Sequence, residues 1–514
     1  MRVLLYAPPI MDDYGLVTRS IGMDAFRECP PYGMYLLHAV LNTRGHDATL
    51  VDLIAPATDD IGDTAPEEYG LIGIGATSMS WPTALSVIKQ IRERDREVPI
   101  VLGGIHPTMF DAYVLAGSGA DFVIRGEGEK ALVALADALE RDGDVSRVPN
   151  LTWLGDHGRI VRNPAGLKMT SDELVDCPIP DYSLLPEGVY QGLSIESSRG
   201  CAFDCSFCST SYRKSFRGMV PEIFVDRLEQ VLEHQSRSIY DFTHIVDDEF
   251  SLNVKRAIAI ANEIHGRGIQ PKLVYDSRAT DLLYDGYVET MRDLTHQFLV
   301  GAECGYDEGL KKIGKGTTTD ILRRSAAKLA EFGIAERADY SFILGLPWES
   351  AREVRRTAEF ALSLHEHYGV RLLLQWYCQI PGSRLWEEFR EQGVVTEAMY
   401  DEFGFFRNLY LFRSAVKLSN EEIDELSRLI ELSADIAKVH HGGRTMVEYS
   451  HPEPLRLYFP KLPPVEDGLA NLRELSLVGR RHLEPRRQEE LVSASAVPDI
   501  DPLAGRPRRH FIQD

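Results

Sequence analysis

Apolar positions in the first 145 residues follow two patterns in turn. Continuous runs at Val3–Ala7, Ala48–Leu53, Leu71–Ala76, Pro99–Gly104 and Asp121–Ile124 predict short strands, and runs this uninterrupted suit strands covered on both faces. Helical spacing fills the gaps. Tyr32–Asn42 is one such stretch, Pro82 opens a second with Leu85, Ile88 and Ile91 on one side, and Gly128 opens a third with Leu132, Leu135 and Leu139. Strand and helix in alternation predict an α/β unit over residues 1–145, a doubly wound, Rossmann-like parallel sheet. Ligands of such sheets bind beyond the carboxyl ends of the strands. Those ends carry small and polar residues: Ala76-Thr77-Ser78, Gly103-Gly104-Ile105-His106-Pro107-Thr108 and Arg125-Gly126-Glu127-Gly128-Glu129.

Residues 146–189 are rich in Pro, Asp and Gly and predict a linker. Leu151-Thr-Trp-Leu154 and Arg159-Ile-Val161 flank a Gly-Asp-His-Gly turn, a small hairpin within it. Residues 190–410 return to alternation, with strands at Leu193–Ser197, Phe242–Val246, Lys272–Tyr275, Gln297–Ala302, Ala338–Leu344 and Leu372–Gln375. Six such units predict a partial parallel (β/α)6 barrel with its chemistry at the strand ends. From Ser419 the spacing of Ile423, Leu426 and Ile430 predicts a helical region, residues 411–460, packed against the barrel. Residues 461–514 lack apolar periodicity and are expected to be largely disordered.

The stretch that changes the picture is Ser198-Arg-Gly-Cys201-Ala-Phe-Asp-Cys205-Ser-Phe-Cys208. Thiolates are soft ligands for iron–sulfur clusters and zinc. A closed zinc site needs four protein ligands, and no fourth cysteine is near: Cys177 lies upstream and Cys304 far downstream. Three thiols on one loop point to a metal centre with an open position. The spacing, with Phe207 before the third cysteine, resembles the signature of the radical S-adenosylmethionine (SAM) enzymes. The resemblance implies that Cys201, Cys205 and Cys208 hold a 4Fe-4S cluster. It also implies that SAM chelates the open iron and is cleaved reductively to a 5′-deoxyadenosyl radical. The strand ends extend the likeness: Asp247-Asp248, Arg278, Gly301-Ala-Glu303-Cys304 and Ser341-Phe-Ile-Leu-Gly345-Leu-Pro347. It implies SAM contacts from Phe207, Asp247, Arg278, Glu303, Ser341 and Gly345. Serine stands at 341 where the family has glycine, and Cys304 replaces serine, as a small buried residue.

The loops of the first unit resemble the cobalamin-binding domain that precedes many radical SAM domains. The resemblance implies cobalamin (B12) contacts from Thr77, Ser78, Gly103, Gly104, His106, Gly126 and Glu127. The Asp-x-His-x-x-Gly motif of other cobalamin domains is absent, so no histidine from that motif is expected below cobalt. On the residues alone, a flavodoxin-like sheet for another ligand, with His106 capping a helix, stays open.

Composition narrows the function. Seven cysteines in 514 residues are no disulfide framework, and a cytoplasmic protein is expected. A net charge of −22 disfavours a nucleic-acid partner, and no apolar run is long enough to span a membrane. The resemblance, which covers residues 1 to about 410, implies a cobalamin-dependent methyltransferase that acts on an unactivated carbon of a small-molecule or peptide substrate. A one-electron reductant such as flavodoxin or ferredoxin would serve it. An oxidative cyclase or ring-rearranging enzyme with the same cofactors is the alternative. Methylthiotransfer to tRNA needs further cluster cysteines in the first unit, where only Cys29 lies.

Overall fold

The structure is a computed structural model that describes residues 1–10, 29–401 apart from 57, 142, 156–157, 167 and 211, and 417–419, 421–422 and 425–426. Five parallel strands form the first sheet in the order β2-β1-β3-β4-β5. They are β1 (Arg2–Ala7), β2 (Asp47–Asp52), β3 (Leu71–Gly75), β4 (Ile100–Gly103) and β5 (Phe122–Ile124). The order reverses at β1, so a ligand crevice opens beside its carboxyl end.

Helices cover both faces. α1 (Tyr32–Thr43) and α5 (Glu129–Glu140) bury Leu41, Leu132 and Leu135 against Val3, Leu5 and Val101. α2 (Trp81–Arg94) buries Val87, Ile88 and Ile91 against the other face. Two helices escaped the sequence reading, α3 (Ile105–Met109) and α4 (Asp111–Ser118), because each is too short to show a period. The hairpin expected in the linker is part of the sheet: β6 (Leu151–Leu154) and β7 (Ile160–Arg162) extend it antiparallel from β5. Its buried face, Leu151 and Trp153, needs that sheet's core, which local pattern does not reveal. Likewise Ser171–Asp176, read as linker, is a helix with a Thr170–Glu173 capping box, α6.

The second sheet has six parallel strands in the order β15-β14-β13-β12-β11-β8, an open barrel. They are β8 (Leu193–Ile195), β11 (Phe242–Ile245), β12 (Lys272–Ser277), β13 (Thr295–Glu303), β14 (Ala338–Leu344) and β15 (Arg371–Trp376). A two-stranded antiparallel ribbon, β9 (Ser198–Arg199) and β10 (Arg217–Gly218), follows β8. The outer helices used below are α7 (Pro221–Leu232), α8 (Val254–Arg267), α9 (Asp307–Ile313), α10 (Thr319–Glu331), α11 (Ala351–Tyr368) and α12 (Arg384–Glu391). Tyr340 bonds Ser325 of α10 at 2.8 Å, so the alternate residue Ser341, paired with Gly301, faces the barrel interior.

The two sheets share one apolar core. It runs from Leu4, Ile72 and Leu102 of the first sheet into Leu193, Phe298 and Tyr340 of the barrel. Asp401 adds polar ties, accepting from Trp81 Nε1 at 2.8 Å and from the Tyr113 hydroxyl at 2.5 Å. Ser419 Oγ accepts from Glu422 N at 3.2 Å, and Ser419 N donates to the Glu422 carboxylate at 2.8 Å. The rest of the expected C-terminal helical region and the tail lie outside the described residues. Among the described residues no helix is long and apolar enough to cross a membrane.

Candidate functional site

The cysteine loop spans the turn between β9 and β10 and is pinned on every side by backbone contacts. Ser206 N donates to Ile313 O at the end of α9 (2.9 Å), and Leu385 N of α12 donates to Ser206 O (3.0 Å). Arg213 donates to Cys208 O. After β11, two consecutive carboxylates hold the loop's base. Asp248 accepts from Gly200 N at 2.8 Å and from Thr210 Oγ1 at 2.7 Å, one residue before Cys201 and two after Cys208. Asp247 accepts from both backbone nitrogens and both hydroxyls of Ser197 and Ser198, at 2.5–2.9 Å. These four bonds fill the accepting positions of its carboxylate. Asp247 thus anchors the base of the loop.

Beside the cysteines the barrel supplies cations. Arg278, 5% exposed, lays its guanidinium 3.5 Å over the Phe203 ring of the loop and donates to Lys315 O. Lys315 Nζ bonds Glu303 Oε1 at 2.6 Å. Burial works against the Lys315 ammonium, but Glu303 and Cys205 hold its pKa above the ordinary value. Glu303 sits at φ +66°, a conformation uncommon outside glycine, at a bulge in β13. A Cβ on Gly301 would displace Lys315 Nζ and Glu303 Oε1, the ends of the two paired side chains. Ser341 is buried beside Gly301, and Gly345, at φ +77°, donates its N–H to Glu349 at 2.8 Å. Burial raises Glu349 to about 7. Phe207 is half-buried against the core, and Cys304 is fully buried, as its small size implied.

At the carboxyl edge of the first sheet, Thr77 and Gly104 are exposed and Gly103 and Gly126 half-buried. A Cβ on Gly103 or Gly126 would meet nothing within 4 Å, which leaves open space over the strand ends. Gly104, at φ +94°, has no such room: its Cβ would lie 2.5 Å from Ala76 O. Ser78 and His106 lie beneath this surface. His106 is fully buried, bonded through Nδ1 to Ser78 Oγ (3.0 Å) and stacked on Trp81 with centroids 4.8 Å apart. Burial lowers its pKa to about 3. With no exposed surface, it packs behind the loop that carries Gly103 and Gly104.

Glu127, half-buried in the loop after β5, is engaged within the protein. It accepts from Arg217 Nη1 at 2.5 Å and from Met169 N at 2.7 Å, and stands 3.6 Å from Arg199. Arg199 in turn bonds Glu129 at 2.6 Å and Glu196 at 2.6 Å. The loop after β5 is thus joined to the stem of the cysteine loop by buried ion pairs. Sequence reading missed Arg199, Lys315 and Glu349. The available signals were an arginine directly before Gly-Cys and a lysine flanked by glycines.

These residues fit an iron–sulfur cluster and a large planar ligand. Thiols that share one zinc ion lie about 4 Å apart. Among the described residues the only His, Cys, Asp or Glu set whose ligand atoms all lie within 4.8 Å of one another is His46, Asp137 and Glu140; the three thiols do not form so tight a set. Arg278 Nε and Thr317 Oγ1 are buried without a hydrogen-bond partner, an unmet demand for an acceptor such as a carboxylate.

The B12 binding domain family matches residues 19–136, and the Radical SAM superfamily matches residues 195–361. An uncharacterized methyltransferase of Pyrococcus horikoshii is 30% identical over 405 residues, covering 75% of this chain and 83% of the relative. The anaerobic magnesium-protoporphyrin IX monomethyl ester cyclase of Synechocystis is 28% identical over 357 residues, 66% of this chain and 68% of the relative. Among solved structures, the radical SAM methyltransferase TsrM of Kitasatospora setae, with tryptophan and a SAM analogue bound, superposes with a TM-score of 0.60. It shares 20% identity and covers 76% of each chain.

Proposed function

Because the chain belongs to the cobalamin-dependent radical SAM enzymes, with cobalamin, a 4Fe-4S cluster and SAM as its cofactors, we propose that it is a methyltransferase acting on an unactivated carbon of a small molecule or peptide. The observation that carries this reading is the 30% identity to a methyltransferase-named relative, which runs through both units. When bound, the cluster supplies the electron that cleaves SAM and the corrin carries the methyl group.

Cys201, Cys205 and Cys208 hold the cluster, and Asp247 and Asp248 fix their loop. The Glu303–Lys315 pair and Arg278 form a charged wall for the zwitterionic end of SAM, with charge-assisted hydrogen bonds as the holding force. Phe207, Ser341 and Gly345 shape the rest of that pocket. Thr77, Gly103 and Gly126 face the corrin, with Ser78, Gly104 and His106 setting the loop that carries them.

The cyclase relative supports a second reading, with the same cofactors and no methyl transfer. Cells producing this chain, or its Cys208→Ala variant, can be fed methyl-labelled methionine and their metabolites compared by mass spectrometry. A metabolite that carries the label only with the intact chain supports methyl transfer. An unlabelled product that has lost hydrogen, again only with the intact chain, supports cyclisation.

A further inference from the structure

The stem of the cysteine loop and the corrin-side loop meet at one buried cluster of charges. The stem is the β9–β10 ribbon, in which Arg199 and Arg217 stand opposite each other. Both reach the same short segment, Glu127 and Glu129, which follows Gly126 after β5. Arg199 is the hub. It is 9% exposed on its side chain, contacts Glu129 at 2.6 Å and Glu196 at 2.6 Å, and stands 3.6 Å from Glu127.

The covalent neighbours give this clasp its reach. On one side, Arg199 precedes Gly200, whose N–H is held by Asp248, and then Cys201. On the other, Glu127 and Glu129 flank Gly128 and follow Gly126, the glycine that opens onto free space. A guanidinium presents a rigid planar fork, so it transmits orientation where a lysine would transmit only charge.

We infer that Arg199 is a positioning residue that couples the cluster loop to the corrin-side loop, so that loading one site tightens the other. The inference rests on the cofactor assignment of the preceding section. Ordering of the cysteine loop fixes the ribbon, the ribbon fixes Glu127 and Glu129 through two guanidinium groups, and these set Gly126 against the corrin. Coupling of this kind is reciprocal.

The test measures hydroxocobalamin affinity by visible absorbance on the full chain, before and after anaerobic cluster reconstitution. Iron content and melting temperature are recorded on the same samples. For the wild type, cluster loading should tighten hydroxocobalamin binding by at least about fivefold. In Arg199→Lys the ratio should fall to about one while iron content stays at the wild-type level. Arg199→Gln/Glu129→Gln/Glu196→Gln removes the hub together with both carboxylates bonded to it and leaves Glu127 paired with Arg217, and it decides the matter if Arg199→Lys does not fold. A merely structural role lowers the melting temperature but leaves the ratio intact, and that result overturns the inference. A ratio of one in the wild type also overturns it. A wild type that takes up the cluster but binds no hydroxocobalamin removes the cofactor assignment, and the inference with it.

Discussion

Glu303 and Lys315 are each nearly buried, and each is the other's closest opposite charge at 2.6 Å. Removing one partner of such a pair strands the other. Glu303→Gln is expected to destabilise the fold by about 3 kcal/mol or more, read by denaturant unfolding, and to weaken SAM binding. His106 gives a prediction of a different kind. Its native pKa, about 3, lies below the ordinary histidine value, so the unfolded chain takes up a proton first as pH falls. The stability this neutral ring supports is complete above pH ~6.5 and is lost toward pH ~3. Between pH ~7 and ~5 the loss is about 2 kcal/mol. His106→Phe keeps a ring beside Trp81 and Phe110 and should remove that part of the pH slope. An unchanged slope in the variant would show that the ring titrates normally.

The glycines at the strand ends divide into one that is tightly packed, Gly104, and one that opens onto free space, Gly103. Gly104→Ala sets a Cβ 2.5 Å from a backbone oxygen at φ +94°, and should cost about 2 kcal/mol or more of stability. Gly103→Ala meets nothing within 4 Å, so its stability should stay within about 0.5 kcal/mol of wild type. Its methyl group enters the space assigned to the corrin, so hydroxocobalamin affinity should fall. Equal corrin affinity in Gly103→Ala and wild type would count against that placement. Asp247→Ala leaves four donors on Ser197 and Ser198 unpaired, and should lower the iron taken up on reconstitution.

The strands of both sheets were legible because buried parallel strands read as unbroken apolar runs; Ala338–Leu344 is one. The cysteines were legible because their spacing is local. The hairpin's place in the first sheet was not, since its partner β5 is more than twenty residues away. Nor were the duties of Asp247 and Glu127, whose partners Ser197 and Arg217 lie 50 and 90 residues off. A charged residue in a glycine loop reads as ligand-facing until the chain brings an arginine to it.

Over the whole molecule, two units that could have been independent are held by a common apolar core, by Asp401, and by the Arg199 clasp. Their strand ends carry the two sets of candidate residues, and the buried joint between the loops offers a physical route between them. One chain thus bears a candidate corrin site on its first sheet and a candidate cluster site on its barrel. The most direct measurement is corrin and iron content of protein produced with hydroxocobalamin and reconstituted anaerobically, for wild type and for Cys201→Ala/Cys205→Ala/Cys208→Ala. With hydroxocobalamin in saturating excess, both proteins should carry stoichiometric corrin, and the wild type alone should show an iron–sulfur absorption band. A wild type that holds the cluster without corrin, or a triple variant that keeps its iron, would contradict this assignment.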